Sequence, residues 1–166
     1  MQPILEWKKE ALNLWNVGKA FDAGLIIITK LSPNVASQWS ADILSFMLRM
    51  SDISSPLCQK VIQLAKSPSE WGKGHQLFSE IRAVTLAHDE KLRGKYTRAD
   101  EMLSDVLTMS EQVAKLAYNA TDPVDEFDDD TGAWVVDILH TFAASFDDTN
   151  VKQYAWRVAV DIKNLE

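Results

Sequence analysis

The chain has a single cysteine, Cys58, so no intrachain disulfide can form and nothing ties it to an oxidising compartment. Six glycines and five prolines in 166 residues leave little room for structureless segments beyond short loops. Long apolar runs are missing too: the longest, residues 25–28, falls far short of the ~18 residues that would indicate a membrane span. An export signal would need an unbroken apolar stretch of about seven or more residues near the start. Glu6, Lys8, Lys9 and Glu10 stand there instead, which makes the cytoplasm the expected location. On that expectation the triplet Asn119-Ala120-Thr121 has no meaning as a glycosylation acceptor. Three histidines are too few for a convincing zinc or catalytic constellation. No G-x-S-x-G, Walker-type loop or dinucleotide fingerprint occurs. No cofactor or bound metal is expected.

Basic residues are absent from one long stretch. Between 116 and 151 there are nine acidic residues, Asp122, Asp125, Glu126, Asp128, Asp129, Asp130, Asp137, Asp147 and Asp148, without one Lys or Arg. The other 15 acids face all 17 bases, so the whole formal charge of −7 originates in this one segment. Phosphate neutralisation requires a basic face, so the balance argues against a nucleic-acid binder.

What the chain does have is helical periodicity almost throughout. Ile4, Trp7, Ala11 and Leu14 recur at that spacing, as do Trp39, Ile43, Phe46 and Met50, and then Leu57, Val61 and Leu64. Further stripes are Leu77, Ile81, Val84 and His88; Met102, Val106, Met109, Val113 and Leu116; Val135, Ile138, Phe142 and Phe146; and Val151, Tyr154, Val158, Ile162 and Leu165. Pro33 and Pro56 directly follow Ser32 and Ser55, and Pro3 also suits a first helical turn, the place where a missing N–H costs nothing. Gly94 after "HDEKLR" signals a stop, and Thr97 with Asp100 a capping-box restart. The segment "GLIIIT" is stiff and strand-like by composition, but no second strand is available to pair with it, so it reads as a short, buried helix. The expectation is an all-α, single-domain antiparallel bundle of about eight helices near 3–16, 19–31, 34–50, 56–66, 74–93, 97–120, 131–146 and 149–164.

The stretch "GKYTRADEMLSDVL" resembles the second-helix start of a tetratricopeptide repeat, with Gly94, Tyr96, Ala99 and Leu103 at that family's spacing. The helix before it departs at the expected aromatic positions, and "GKAFDAGLIII" from Gly18 carries an extra residue. One matching helix establishes no repeat array.

Several residues carry chemistry. The segment "DPVDEFDDD" crowds six carboxylates, Asp122, Asp125, Glu126, Asp128, Asp129 and Asp130, around Phe127. As an EF-hand loop it fails: counted back from Gly132 as sixth position, the first position is Phe127 and the twelfth Ile138. Three other uses fit: a cation site of another kind, capping the following helix, whose amides favour negative charge, or docking a basic partner with Phe127 as anchor. Asp137 and His140 share a helix face and are candidate metal ligands or an acid–base pair, with no third ligand evident. Cys58, near a helix start, is either a nucleophile with a lowered pKa or a small buried apolar group. His88 reads as a core histidine satisfied locally and His75 as exposed. Trp71, in the loop-like "KSPSEWGKG", and Trp156, off its helix stripe, either anchor an interface or tuck against the bundle. "KLRGKYTR" can hold a phosphate, although capping already accounts for it. The sequence therefore favours a non-catalytic protein-binding module, immunity-type or adaptor-type, docking a basic protein through residues 122–130. The alternative is a metal-dependent helical enzyme using the loop carboxylates with Asp137 and His140.

Overall fold

The computed structural model describes residues 6–121 and 130–161. It is all α, with eight α-helices among the described residues: α1 Glu6–Asn16, α2 Ala20–Ile28, α3 Pro33–Ser51, α4 Pro56–Ala65, α5 Gly74–Leu92, α6 Arg98–Thr121, α7 Thr131–Ala144 and α8 Asn150–Val160. A short 3-10 helix, Pro68–Lys73, joins α4 to α5 where the sequence reads as loop.

Capping residues set the boundaries. The Val35 and Cys58 amides donate to the hydroxyls of Ser32 and Ser55 at 3.3 and 3.2 Å, with Pro33 and Pro56 as first helical residues. Left-handed backbone at Arg93 (φ 36°) and Gly94 (φ 82°) ends α5. The capping box then restarts the chain: the Asp100 amide donates to Thr97 Oγ1 at 3.2 Å, and the Thr97 amide to the Asp100 carboxylate at 3.1 Å.

The long helix α6 is central, packing against α3, α4, α5, α7 and the 3-10 segment, while α2 packs on α1 and α7, and α8 spans α3 and α7. One continuous apolar cluster runs from Ala11 to Ala159, with Phe142, Ile27, Ile43, Leu44, Met47, Ile81, Met109 and Leu139 fully buried. Two tryptophans tie helix ends into it. Trp39 Nε1–H donates to the Ala159 carbonyl near the end of α8 at 2.8 Å. The last carbonyl of α4, Ala65, accepts from both Ser37 Oγ and Trp71 Nε1–H at 2.9 Å each. Trp71 is thus buried in the 3-10 helix and is no surface anchor.

"GLIIIT" is helical, but only one side of it is inside. Ala20, Ala23, Gly24 and Ile27 are buried, whereas Leu25 is exposed and Ile26 and Ile28 half-buried. The inward stripe is small because α2 and α7 nearly touch: a Cβ on Gly24 would lie 2.6 Å from Ala133 Cα, and one on Gly132 would run into the Ile28 side chain.

Three stripes are rotated from the sequence expectation. On α5 the inward residues are Leu77, Ile81 and Thr85, with Val84 exposed; the Thr85 hydroxyl is satisfied by the Ile81 carbonyl at 3.0 Å, so burying it costs little. On α8 Val151, Ala155 and Ala159 face inward and Tyr154 is 47% exposed, again because small residues allow the close packing. On α1 Trp15 joins Ala11 as a buried residue, with Trp7 and Leu14 only half-buried. The expected positions Pro3, Ile4, Ile162 and Leu165 lie outside the described residues.

Candidate functional site

Of the acidic segment, Asp130 alone is within the described residues; Asp122, Asp125, Glu126, Phe127, Asp128 and Asp129 lie outside them. Asp130 is exposed and occupies the position before α7, where its carbonyl accepts from the Ala133 and Trp134 amides at 2.9 and 3.2 Å. Its carboxylate makes no capping bond, contrary to that part of the capping expectation.

One turn further on stands Trp134, 46% exposed. Its ring meets the edge of Phe21 on α2 with centroids 4.8 Å apart, and Leu25, 39% exposed, follows one turn along α2 from Phe21. The close approach of α2 and α7 at Gly24 and Ala133 fuses their outer faces into one aromatic and aliphatic surface, bordered by the exposed carboxylates of Asp22 and Asp130. Lys19 and Lys30 lie at the two ends of α2. Sequence reasoning missed this face, although the small residues at 20, 23 and 24 signal which side of α2 must turn inward, leaving Leu25 exposed and Phe21 half-buried at the edge.

Asp137 and His140 are both half-buried on α7. The His140 ring packs edge-on against Trp15, centroids 4.7 Å apart. Burial, reinforced by the nearby Lys152 charge, holds its pKa below the ordinary imidazole value; a hydrogen bond to the Trp15 backbone and the Asp137 carboxylate pull more weakly the other way. Asp130 precedes His140 by ten positions, about 15 Å along a helix axis, too far for the two to share one ion at bonding distances of about 2–2.6 Å. Among the described residues no three His, Cys, Asp or Glu side chains gather as a metal-binding group.

Cys58 is fully buried as the third residue of α4, and its Sγ accepts from Ser110 Oγ at 3.2 Å, the packing of a small core residue rather than an accessible nucleophile. His88 is half-buried with Nε2 3.2 Å from the Asp100 carbonyl, and exposed His75 lies beside the Tyr118 ring. In "KLRGKYTR", Arg93 pairs with Glu90 and Arg98 with Asp147, and Arg98 also lies over the Phe146 ring. Sequence reasoning did not single out Glu111, a carboxylate only 2% exposed on α6, whose Oε2 accepts from Arg82 of α5 at 3.4 Å while Oε1 has no hydrogen-bond partner among the described residues.

Among the described residues no helix is long and apolar enough to cross a membrane. In comparisons with protein-family models, with characterised proteins and with solved structures, the chain matches none.

Proposed function

We propose that the protein is a non-catalytic binding module, of an immunity or adaptor kind, that docks a basic protein partner on the outer face of α2 and α7. The observation that carries this reading is the exposure of Leu25 and Trp134 on one face, with half-buried Phe21 packed against Trp134 and Trp134 one helical turn after Asp130. Apolar groups exposed together rather than singly are typical of interaction sites, and tryptophan is prominent among the residues that dominate binding energy. The charge map supports a cationic partner: residues 116–151 contain nine acids and no base. Such a field speeds and steers the encounter, while the aromatic contact slows dissociation. Crowded like charges repel, so the arrangement costs some stability, and a use for the field offsets that cost. In sequence, Phe127 and the six carboxylates of residues 122–130 directly precede α7, and this reading assigns them to the same partner. The acidic bias speaks against nucleic acid as the ligand, and the single cysteine suits the cytoplasm.

The test divides the two contributions. Trp134→Ser with Leu25→Ser is expected to hasten dissociation of a captured partner about tenfold or more, since hot-spot side chains each contribute at least about 1–2 kcal/mol. Changing Asp125, Glu126, Asp128 and Asp129 to their amides is expected to slow association and flatten its salt dependence, because steering is screened over about 8 Å at physiological ionic strength. A partner that binds both variants at wild-type rates would overturn the reading.

A further inference from the structure

One flank of α5 carries apolar side chains that the bundle leaves uncovered. Leu77, Ile81 and Thr85 are buried where the helix packs against α4, α6 and the 3-10 segment, while Ala83, Val84 and Ala87 stand exposed, Val84 at 44%. Glu80, Val84, Ala87 and Lys91 form a stripe, each three or four positions from the next, and all four are exposed. The two charges bracket it. They are eleven positions apart, close to three full turns, so they lie on one line about 16 Å from each other.

These are also the uncommitted charges of the helix. Arg82 is paired with Glu111 and Glu90 with Arg93, and the Asp89 carboxylate accepts from Ser104 Oγ. Glu80 and Lys91 have no ion-pair partner among the described residues.

The stripe is complementary to itself. A two-fold axis crossing the helix between Thr85 and Leu86 relates position 80 to 91 and position 84 to 87. Two copies of α5 laid antiparallel about that axis set Glu80 against Lys91 of the second copy, twice over, and the larger Val84 against the smaller Ala87, again twice. A parallel pair would instead oppose Glu80 to Glu80 and Lys91 to Lys91, which like charges disfavour. We propose that the protein associates with a second copy of itself through this stripe, as an antiparallel two-fold dimer. A contact one helix wide falls short of the ~800 Å² per partner of a standard interface, so the dimer is weak and reversible. It is separate from the docking face on α2 and α7 and stands or falls independently of it.

The proposal is tested on the full chain by sedimentation velocity from about 1 µM to about 1 mM protein. Salt is held at about 0.15 M, where the general repulsion between two acidic chains is screened beyond about 8 Å. The wild type is expected to pass from monomer to dimer across this range. Glu80→Lys and Lys91→Glu are each expected to weaken the dimer at least about tenfold, since each turns two attractive contacts into two repulsive ones. Both positions are exposed, so the variants are expected to keep the wild-type circular dichroism. An equimolar mixture of the two variants is expected to dimerise again, because each then meets the charge it lacks, and only the antiparallel register brings position 80 to position 91. A wild type that stays monomeric up to about 1 mM, single variants that dimerise like the wild type, or a mixture that does not recover would each overturn the proposal.

Discussion

Replacing Gly24 by alanine isolates the contact on which the α2–α7 face is built. Helix propensity alone favours alanine over glycine inside a helix by about 1 kcal/mol. Packing opposes it: the added Cβ would lie 2.6 Å from Ala133 Cα, 2.9 Å from Ala133 O and 3.1 Å from Val136 Cβ. The two closest atoms are backbone and cannot rotate away, and carbons prefer about 3.5–4 Å, so α2 must retreat by about 1 Å along a buried seam. Over-packing of this kind costs about 1–3 kcal/mol, and a clash with backbone belongs near the top of that range. The net expectation is a loss of about 2 kcal/mol, or about 4–8 °C in Tm for a chain of this length. Gly72 is the control, since a Cβ there meets nothing within 4 Å and its φ is ordinary; Gly72→Ala is expected to stay within about 0.5 kcal/mol of wild type. Thermal and urea unfolding of both variants give the answer. A Gly24→Ala protein as stable as wild type, or more so, would refute the close approach of the two helices.

Three further outcomes are expected. Trp39→Phe removes the donor to the Ala159 carbonyl and should cost about 1–3 kcal/mol, more than Trp71→Phe, because the Ala65 carbonyl keeps its bond from Ser37; urea unfolding that reverses this order would contradict the hydrogen-bond assignment. Burial, with the Glu101 charge nearby, pushes Asp105 up to about 6 from the ordinary 3.8, so the folded chain holds this proton more tightly than the unfolded chain, and the contribution of Asp105 to stability is lost as pH rises through about 6. Asp105→Asn should therefore raise Tm above pH 7 and change it little below pH 4, and an equal shift at both would show the cause to be something else. Arg82→Met combined with Glu111→Gln in a double-mutant cycle should give a coupling of about 0.5–3 kcal/mol, since Arg82 is the only ion-pair partner of the buried carboxylate among the described residues; additive losses would mean that the pair is not made.

Helix positions were legible because capping and periodicity are local properties: Ser32 with Pro33, Ser55 with Pro56, and Thr97 with Asp100 act within one turn of themselves. Helix rotation was legible on α3, α4 and α6, where the large apolar stripe is the buried one, but not on α1, α5 and α8. Reading stripes from large apolar residues placed Tyr154 and Val84 inside, whereas Ala155, Ala159 and Thr85 are there, since the closest-packed faces select small side chains. The same rule hid the surface of α2 and α7, where large side chains are left outside by the approach of Gly24 to Ala133. Glu111 was unreadable for another reason: its burial depends on how the neighbouring helices pack around α6, among them α5, which brings Arg82 to it. Trp15 of α1 and Trp156 of α8 meet although they are far apart in the chain, which no local pattern reports.

The most direct test of the docking function is parallel affinity capture from source lysate on immobilised wild-type protein and on the Trp134→Ser, Leu25→Ser variant, at low and at high salt, with quantitative mass spectrometry. The account predicts a basic protein that is retained by the wild type at low salt, lost from the variant, and depleted from the wild type as salt rises. Equal capture by both baits, or a partner that is acidic and indifferent to salt, would contradict it.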